Sequence, residues 1–234
     1  MENFPILKNT PIKEVIIGIS YDGAVDLELF DKLKDIEEIY RNFDERILTE
    51  HTDISIRKDE KQEITTKKSG LILRNLDEGK MLQFKIGSVS LHLIDRYLPL
   101  SQLIDELEKY WNVFIQQNTG ATIINISVRY LNFIPFEAND SIKDYLKIHS
   151  NSPFEDLKVD DFCRIKFKLD ETYVNLVSTK GKIANEEGAI LDYSLRKEIK
   201  SETNVFEELK NMRKTKNKIF FTSITDKTLN LYRS

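Results

Sequence analysis

This chain is poor in the residues that announce chemistry. It has one cysteine, Cys163, in 234 residues. An intrachain disulfide is excluded, and a reducing compartment, the cytoplasm, is expected. Its three histidines, His51, His92 and His149, are scattered. None stands at ligand spacing with a cysteine, an acid or another histidine, so no metal and no cofactor is expected. Cys163 alternates with Ile165 and Phe167, which predicts a buried, inert thiol rather than a nucleophile. The eight glycines form no phosphate-cradling loop. No apolar run approaches the roughly 20 residues of a bilayer-spanning helix. The segment Met1 to Lys8 lacks the basic start, apolar middle and small-residue cleavage site of a signal peptide, and no membrane association is expected. A net charge of −4 excludes a uniformly basic nucleic-acid binder, though not a local basic patch.

What is present is core-forming material. Hydrophobic residues are 40% and charged residues 32%, unlike the low hydrophobicity and high net charge of disordered chains. Residues 11–21 alternate as a strand with Val15, Ile17, Ile19 and Tyr21 on one face, and Asp22-Gly23 turns the chain. The spacing of Leu29, Leu33, Ile36, Tyr40 and Phe43 predicts one amphipathic helix over 25–43, capped by Asp26. Strands are expected over 46–57 and 62–75, separated by the charged turn Lys58-Asp-Glu-Lys61. A hairpin signal at Asp77-Glu78-Gly79-Lys80 leads into a third strand over 80–94. There the apolar set Leu82, Phe84, Ile86 slips by one residue to Val89, Leu91, Leu93, which predicts a bulge at Gly87. Residues 101–117 are the clearest helix, with Ser101 as cap and Leu103, Leu107, Tyr110, Trp111 and Phe114 as apolar face.

The second half repeats the order. A strand over 123–136 carries Ile124, Ile126, Val128, Tyr130, Ile134 and Phe136 on one face. A short helix is expected over 140–149, then strands at 161–169, 172–182 and 188–199, a helix from about Asn204 and a second helical piece near Ile224. Each half, 1–122 and 123–234, therefore follows the order strand, helix, three strands, helix. Antiparallel strands with one apolar face need cover, and the long helices supply it. The expected fold class is α+β: a curved antiparallel sheet, or two related ones, covered by helices. No Pro/Gly/Ser-rich linker divides the halves, so they are expected to pack as one continuous unit.

Candidate site residues are those that break the pattern. Asn132 shares the apolar face of Val128, Tyr130 and Ile134, where an amide finds partners or costs on the order of 1–3 kcal/mol. It is expected either to hold backbone at a strand irregularity or to sit with Tyr130 at the base of a pocket. Arg129 points to the other face. Asp192 is expected to pair across strands with Arg164, Lys166 or Lys168. Those three cations alternate along one strand, with Lys180 and Lys182 expected nearby. Lys210, Arg213, Lys214, Lys216 and Lys218 put five positive charges into nine residues, a set suited to phosphate contacts. Against that use, basic residues at a helix end also complement the helix dipole, and the basic strand face carries only Phe162 for stacking. His92 lies opposite Leu91 and Leu93 and is expected to be exposed. Asp160-Asp161 and Glu186-Glu187 fall in turn-like segments as solvated charge.

Several segments, in order and spacing, resemble a sporadically distributed bacterial family of proteins of about this length, to which no activity is assigned. They are Pro11-Ile-Lys-Glu-Val-Ile-Ile, Leu82-Gln-Phe-Lys with the helix containing Trp111 and Phe114, Val128-Arg-Tyr-Leu-Asn-Phe-Ile, Leu191-Asp-Tyr, and Phe220-Phe-Thr-Ser-Ile-Thr-Asp226. The resemblance spans nearly the whole chain. It carries no role over to Arg129, Tyr130 or Asn132, and its patchy distribution implies a setting in mobile elements, defence islands or toxin–antitoxin modules. Three functions follow as expectations. The first is a non-enzymatic binding or regulatory protein acting on a protein partner, in a bacterial defence or toxin-control module. The second is a small-molecule or nucleotide binder of helix-grip type, with a cavity beneath its helices and Arg129, Tyr130, Asn132 and Asp192 as candidate contacts. The third is nucleic-acid binding through residues 210–218.

Overall fold

The computed structural model describes residues 4–55, 63–137, 140–150, 161–200 and 203–233. Its strands are β1 (Ile12–Asp22), β2 (Glu45–Ser55), β3 (Glu63–Asn75), β4 (Lys80–Lys85), β5 (Ser88–Ile94), β6 (Thr122–Pro135), β7 (Phe162–Leu169), β8 (Thr172–Ile183) and β9 (Glu186–Glu198). They form one open sheet in the order β2-β3-β4-β5-β1-β6-β9-β8-β7, antiparallel throughout. Each half is a meander whose last strand returns beside its own first strand: β5 beside β1, and β9 beside β6. The halves meet where β1 and β6 pair. The fold class is α+β.

Register explains the core. Leu73, Leu82, Leu91, Ile17, Val128, Leu195 and Val174 stand opposite one another in a single row across β3, β4, β5, β1, β6, β9 and β8. All seven are buried. The row lies under two long helices, α3 (Leu100–Gln117) and α5 (Val205–Ser223), which pack on each other and on the central strands. The shorter α1 (Leu29–Lys34), α2 (Glu37–Tyr40), α4 (Ile142–Tyr145) and α6 (Asp226–Arg233) complete the layer. The next residue in the row, Phe167 of β7, is 39% exposed. Nine strands span about 40 Å at ~4.8 Å each, whereas two helices side by side cover about 20 Å. Edge strand β7 outruns the cover, so Cys163 is half-buried rather than buried and Ile165 is exposed.

Four other expectations are corrected. The 25–43 helix is broken after Asp35 at Ile36, where the backbone becomes extended, so that Ile39 reaches the core in place of Ile36 and Tyr40, while Leu29, Leu33 and Phe43 are buried as expected. The strand over 80–94 is two strands, because the slip at Gly87 is a tight hairpin and not a bulge. In a two-residue hairpin facing residues sum to an odd number, here Phe84 with Val89 and Leu82 with Leu91, so the apolar set must change parity across the turn. The first half therefore has four strands after its helices. Helix α3 starts at Leu100 after Pro99, without a side-chain cap from Ser101. Lys58-Asp-Glu-Lys61 and Asp160 lie outside the described residues.

The two hairpin glycines differ in a testable way. Gly79, in the β3–β4 turn, has φ +63, and a Cβ there would stand 2.4 Å from the Ile94 carbonyl oxygen. Gly87 has φ +80, with no atom closer than the Tyr21 carbonyl oxygen at 3.7 Å. Backbone strain applies at both positions, but the steric clash applies only at the first. Gly79→Ala is expected to cost about 2–4 kcal/mol and Gly87→Ala about 1 kcal/mol, read from urea unfolding midpoints.

Candidate functional site

Helix α5 begins at Asn204, whose side chain caps it by accepting from the Glu207 backbone N–H at 3.2 Å. Its buried residues are Leu209, Met212, Ile219, Phe220 and Ser223. At helical periodicity this stripe passes through position 216, four residues after Met212 and three before Ile219. A lysine stands there. Its Nζ lies 4.6 Å from the centre of the Tyr130 ring.

Lys216 lines a cavity of about 380 Å³, within the range of small-molecule sites. The floor is Tyr130 and Asn132 of β6 with Tyr193 of β9. One wall is α5, through Arg213, Lys216 and Phe220. The others are the segment 4–12 ahead of β1 and the loop 97–101 between β5 and α3. Three of the five prolines in the chain, Pro5, Pro11 and Pro99, stand in these walls, where fixed φ stiffens the backbone. Phe4 stacks on Phe221 with centroids 5.2 Å apart and holds the N-terminal segment against α5.

The charge in the cavity is of one sign. None of the described residues that line it is acidic, although the chain carries 39 acids to 35 bases. Burial, with a smaller push from the Arg213 guanidinium, lowers the Lys216 ammonium from its ordinary 10.5 to about 8. Arg213 stands exposed at the rim. Burial drives the Tyr130 and Tyr193 phenols well above their usual range, so both keep their protons at neutral pH. Asn132 is fully buried. Its Nδ2 donates to the Leu191 carbonyl oxygen at 3.0 Å, while its Oδ1 accepts no hydrogen bond among the described residues. The cavity thus offers a cation above an aromatic floor, with the unpartnered Asn132 Oδ1 buried beside it.

Tyr130 and Asn132 therefore stand in the cavity, whereas Arg129 and Asp192 are on the opposite face of the sheet, facing each other. Arg129 Nε and Nη2 donate to the two Asp192 carboxylate oxygens at 2.8 and 2.6 Å. Asp192 does not pair with β7, because Val177 stands between it and Arg164 in register; Arg164 donates to Asn175 at 2.7 Å instead. On the same face His92 is buried, against expectation. Its Nδ1 lies 2.9 Å from a Glu14 carboxylate oxygen, and this contact holds the Glu14 carboxyl below its usual range. Lys180 and Lys182 do not extend the basic strand; they pair with Glu187 at 3.0 and 3.2 Å. Glu187 is accordingly ion-paired rather than simply solvated.

The basic run 210–218 is not one patch. Lys214 and Lys218 are exposed, and Lys210 pairs with Asp105 and Glu207, each at 3.4 Å. Arg213 and Lys216 alone line the cavity. Continuing the helical count from Leu209 and Met212 exposes Lys216 as an intruder on an apolar stripe, a signal present in the sequence. Nothing local marks the walls at 4–12 and 97–101, which reach the site only through tertiary folding. No family model, curated protein or solved structure matches this chain.

Proposed function

We propose that this chain is a binding protein whose cavity takes a small organic anion, a carboxylate or phosphate carried on an apolar or aromatic body. The observation that carries this reading is Lys216, a cation on the core-facing stripe of α5 with an open cavity before it and no carboxylate among the described residues that line it. A half-buried ammonium with no carboxylate partner among the described residues is costly, and a bound anion removes the cost. Aromatic walls supply the remaining affinity through apolar burial. The non-enzymatic binding role expected from the sequence is kept, with a small molecule in place of a protein partner. A regulatory use fits walls built partly from the segment 4–12, since a ligand would fix that segment against α5.

The test is calorimetric titration with 4-methylbenzoate and its neutral amide. The acid is expected to bind at least tenfold more tightly at pH 7. Its affinity is expected to fall as pH rises through about 8, where Lys216 loses its proton. Equal affinity for acid and amide would overturn the reading.

A further inference from the structure

We propose that Lys216 captures carbonyl compounds covalently, forming an imine with an aldehyde or 2-oxo acid that carries a carboxylate or phosphate. The proposal rests on the anion-binding reading of the same cavity and adds a bond to it. Three features of the geometry converge. The Nζ of Lys216 faces an open cavity over the Tyr130 ring rather than bulk solvent. Among the described residues its charged influence is another cation, Arg213, and no carboxylate there holds it as an ammonium. Arg213 stands at the rim, where it can anchor an anionic group while the carbonyl reaches inward. Desolvation in an apolar pocket and a neighbouring cation are the two devices that turn lysine into a nucleophile.

The step balances without an oxidant or reductant. The unprotonated Nζ attacks the carbonyl carbon, a C–N bond forms, and the carbonyl oxygen takes up a proton to give a carbinolamine. Nitrogen then loses its second proton as the hydroxyl leaves as water, so that amine plus carbonyl yields imine plus water. Protonated, that imine is again a cation over Tyr130. The phenols of Tyr130 and Tyr193, which line the cavity, remain protonated. With Lys216 at about 8, about a quarter of its amine is free at pH 7.5, against ~0.1% for an ordinary lysine. Other lysines of α5 lack this state of affairs: Lys210 is ion-paired, and Lys214 and Lys218 stand in solvent.

The experiment treats the whole chain with 4-carboxybenzaldehyde and cyanoborohydride and maps the adducts by peptide mass spectrometry. One adduct is expected, on Lys216, forming at least tenfold faster than on Lys214 or Lys218 and suppressed by excess 4-methylbenzoate. Its rate is expected to rise with pH up to about 8 and then level off. K216R, with K216M as a second variant, is expected to lose the adduct, and circular dichroism reports whether each is folded. Adducts spread evenly over surface lysines, with 4-methylbenzoate still bound, would overturn the imine and leave the anion site standing. Failure of 4-methylbenzoate to bind would overturn both.

Discussion

Lys216→Met is expected to raise the stability of the protein at pH 7 by about 1–2 kcal/mol while weakening 4-methylbenzoate binding at least tenfold. The substitution keeps an unbranched side chain on the apolar stripe formed by Leu209, Met212, Ile219 and Phe220 and removes the ammonium. A lysine lowered from 10.5 to about 8 corresponds to about 3 kcal/mol at 1.36 kcal/mol per pKa unit. Partial exposure and the attraction of the Tyr130 ring, worth ~0.5–2 kcal/mol, reduce that figure. The sign follows from proton counting. Between about pH 8 and 10.5 the unfolded chain holds the Lys216 proton and the folded chain has released it, so the stability of the unsubstituted protein rises with pH there. The penalty is complete below about pH 8 and gone above about 10.5. The advantage of Lys216→Met should therefore be constant at neutral pH and vanish across that window. Urea unfolding of both proteins at pH 7 and pH 10.5 checks it, and a variant less stable at pH 7 would show that the ammonium stabilises the empty fold. A residue whose removal improves the fold and impairs binding is the pattern expected of a site maintained for its ligand.

The parts of the fold legible in the sequence are those set by periodicity. Alternation placed Val15, Ile17 and Ile19 on one face, and the wide stripe of α3 did the same for Leu103, Leu107 and Phe114; all are buried. What alternation does not encode is the pairing order of the strands. The half-turn at Gly87 and a bulge there leave the same mark, a slip of one residue, and only the β4–β5 pairing separates them. Alternation on β7 is as regular as on the central strands, yet Ile165 and Phe167 are exposed because exposure depends on position in a sheet wider than its helical cover. Charge was the least legible feature. Five cations in nine residues look like one patch along the sequence, but a helix distributes them around its axis, and only Arg213 and Lys216 point toward the cavity. Likewise Asp192 found Arg129 rather than a β7 cation, since the partner is decided by which strand lies alongside. Asn132 stood out as a polar residue on an apolar face. The cavity beside it forms only once residues 4–12 and 97–101 have folded against α5.

Phe114→Ala is expected to cost about 3–5 kcal/mol, the largest loss from any single truncation proposed here. Phe114 is fully buried near the end of α3. Its ring centre lies 5.0 Å from that of Tyr21 on β1, 5.9 Å from Phe84 on β4 and 5.4 Å from Trp111 one turn earlier. The side chain thus ties α3 to the central strand and to the β4–β5 hairpin at once. Tyr21 is itself fixed, since its hydroxyl donates to the Lys85 carbonyl oxygen at 2.9 Å. It cannot swing into the space left behind without breaking that bond, and a cavity that the surroundings cannot fill carries its full penalty. Ile86→Ala, in the turn of the same hairpin, supplies the control. Ile86 is 56% exposed, and its truncation is expected to change stability by less than about 0.5 kcal/mol. The comparison is read from urea midpoints at constant slope. A cost below about 1.5 kcal/mol for Phe114→Ala would mean that α3 does not press on the sheet through this cluster. Because α3 also packs on α5, the wall that carries Lys216, a loosened α3 is expected to weaken anion binding as well. Ile86→Ala, which leaves α3 seated, is expected to leave that affinity unchanged.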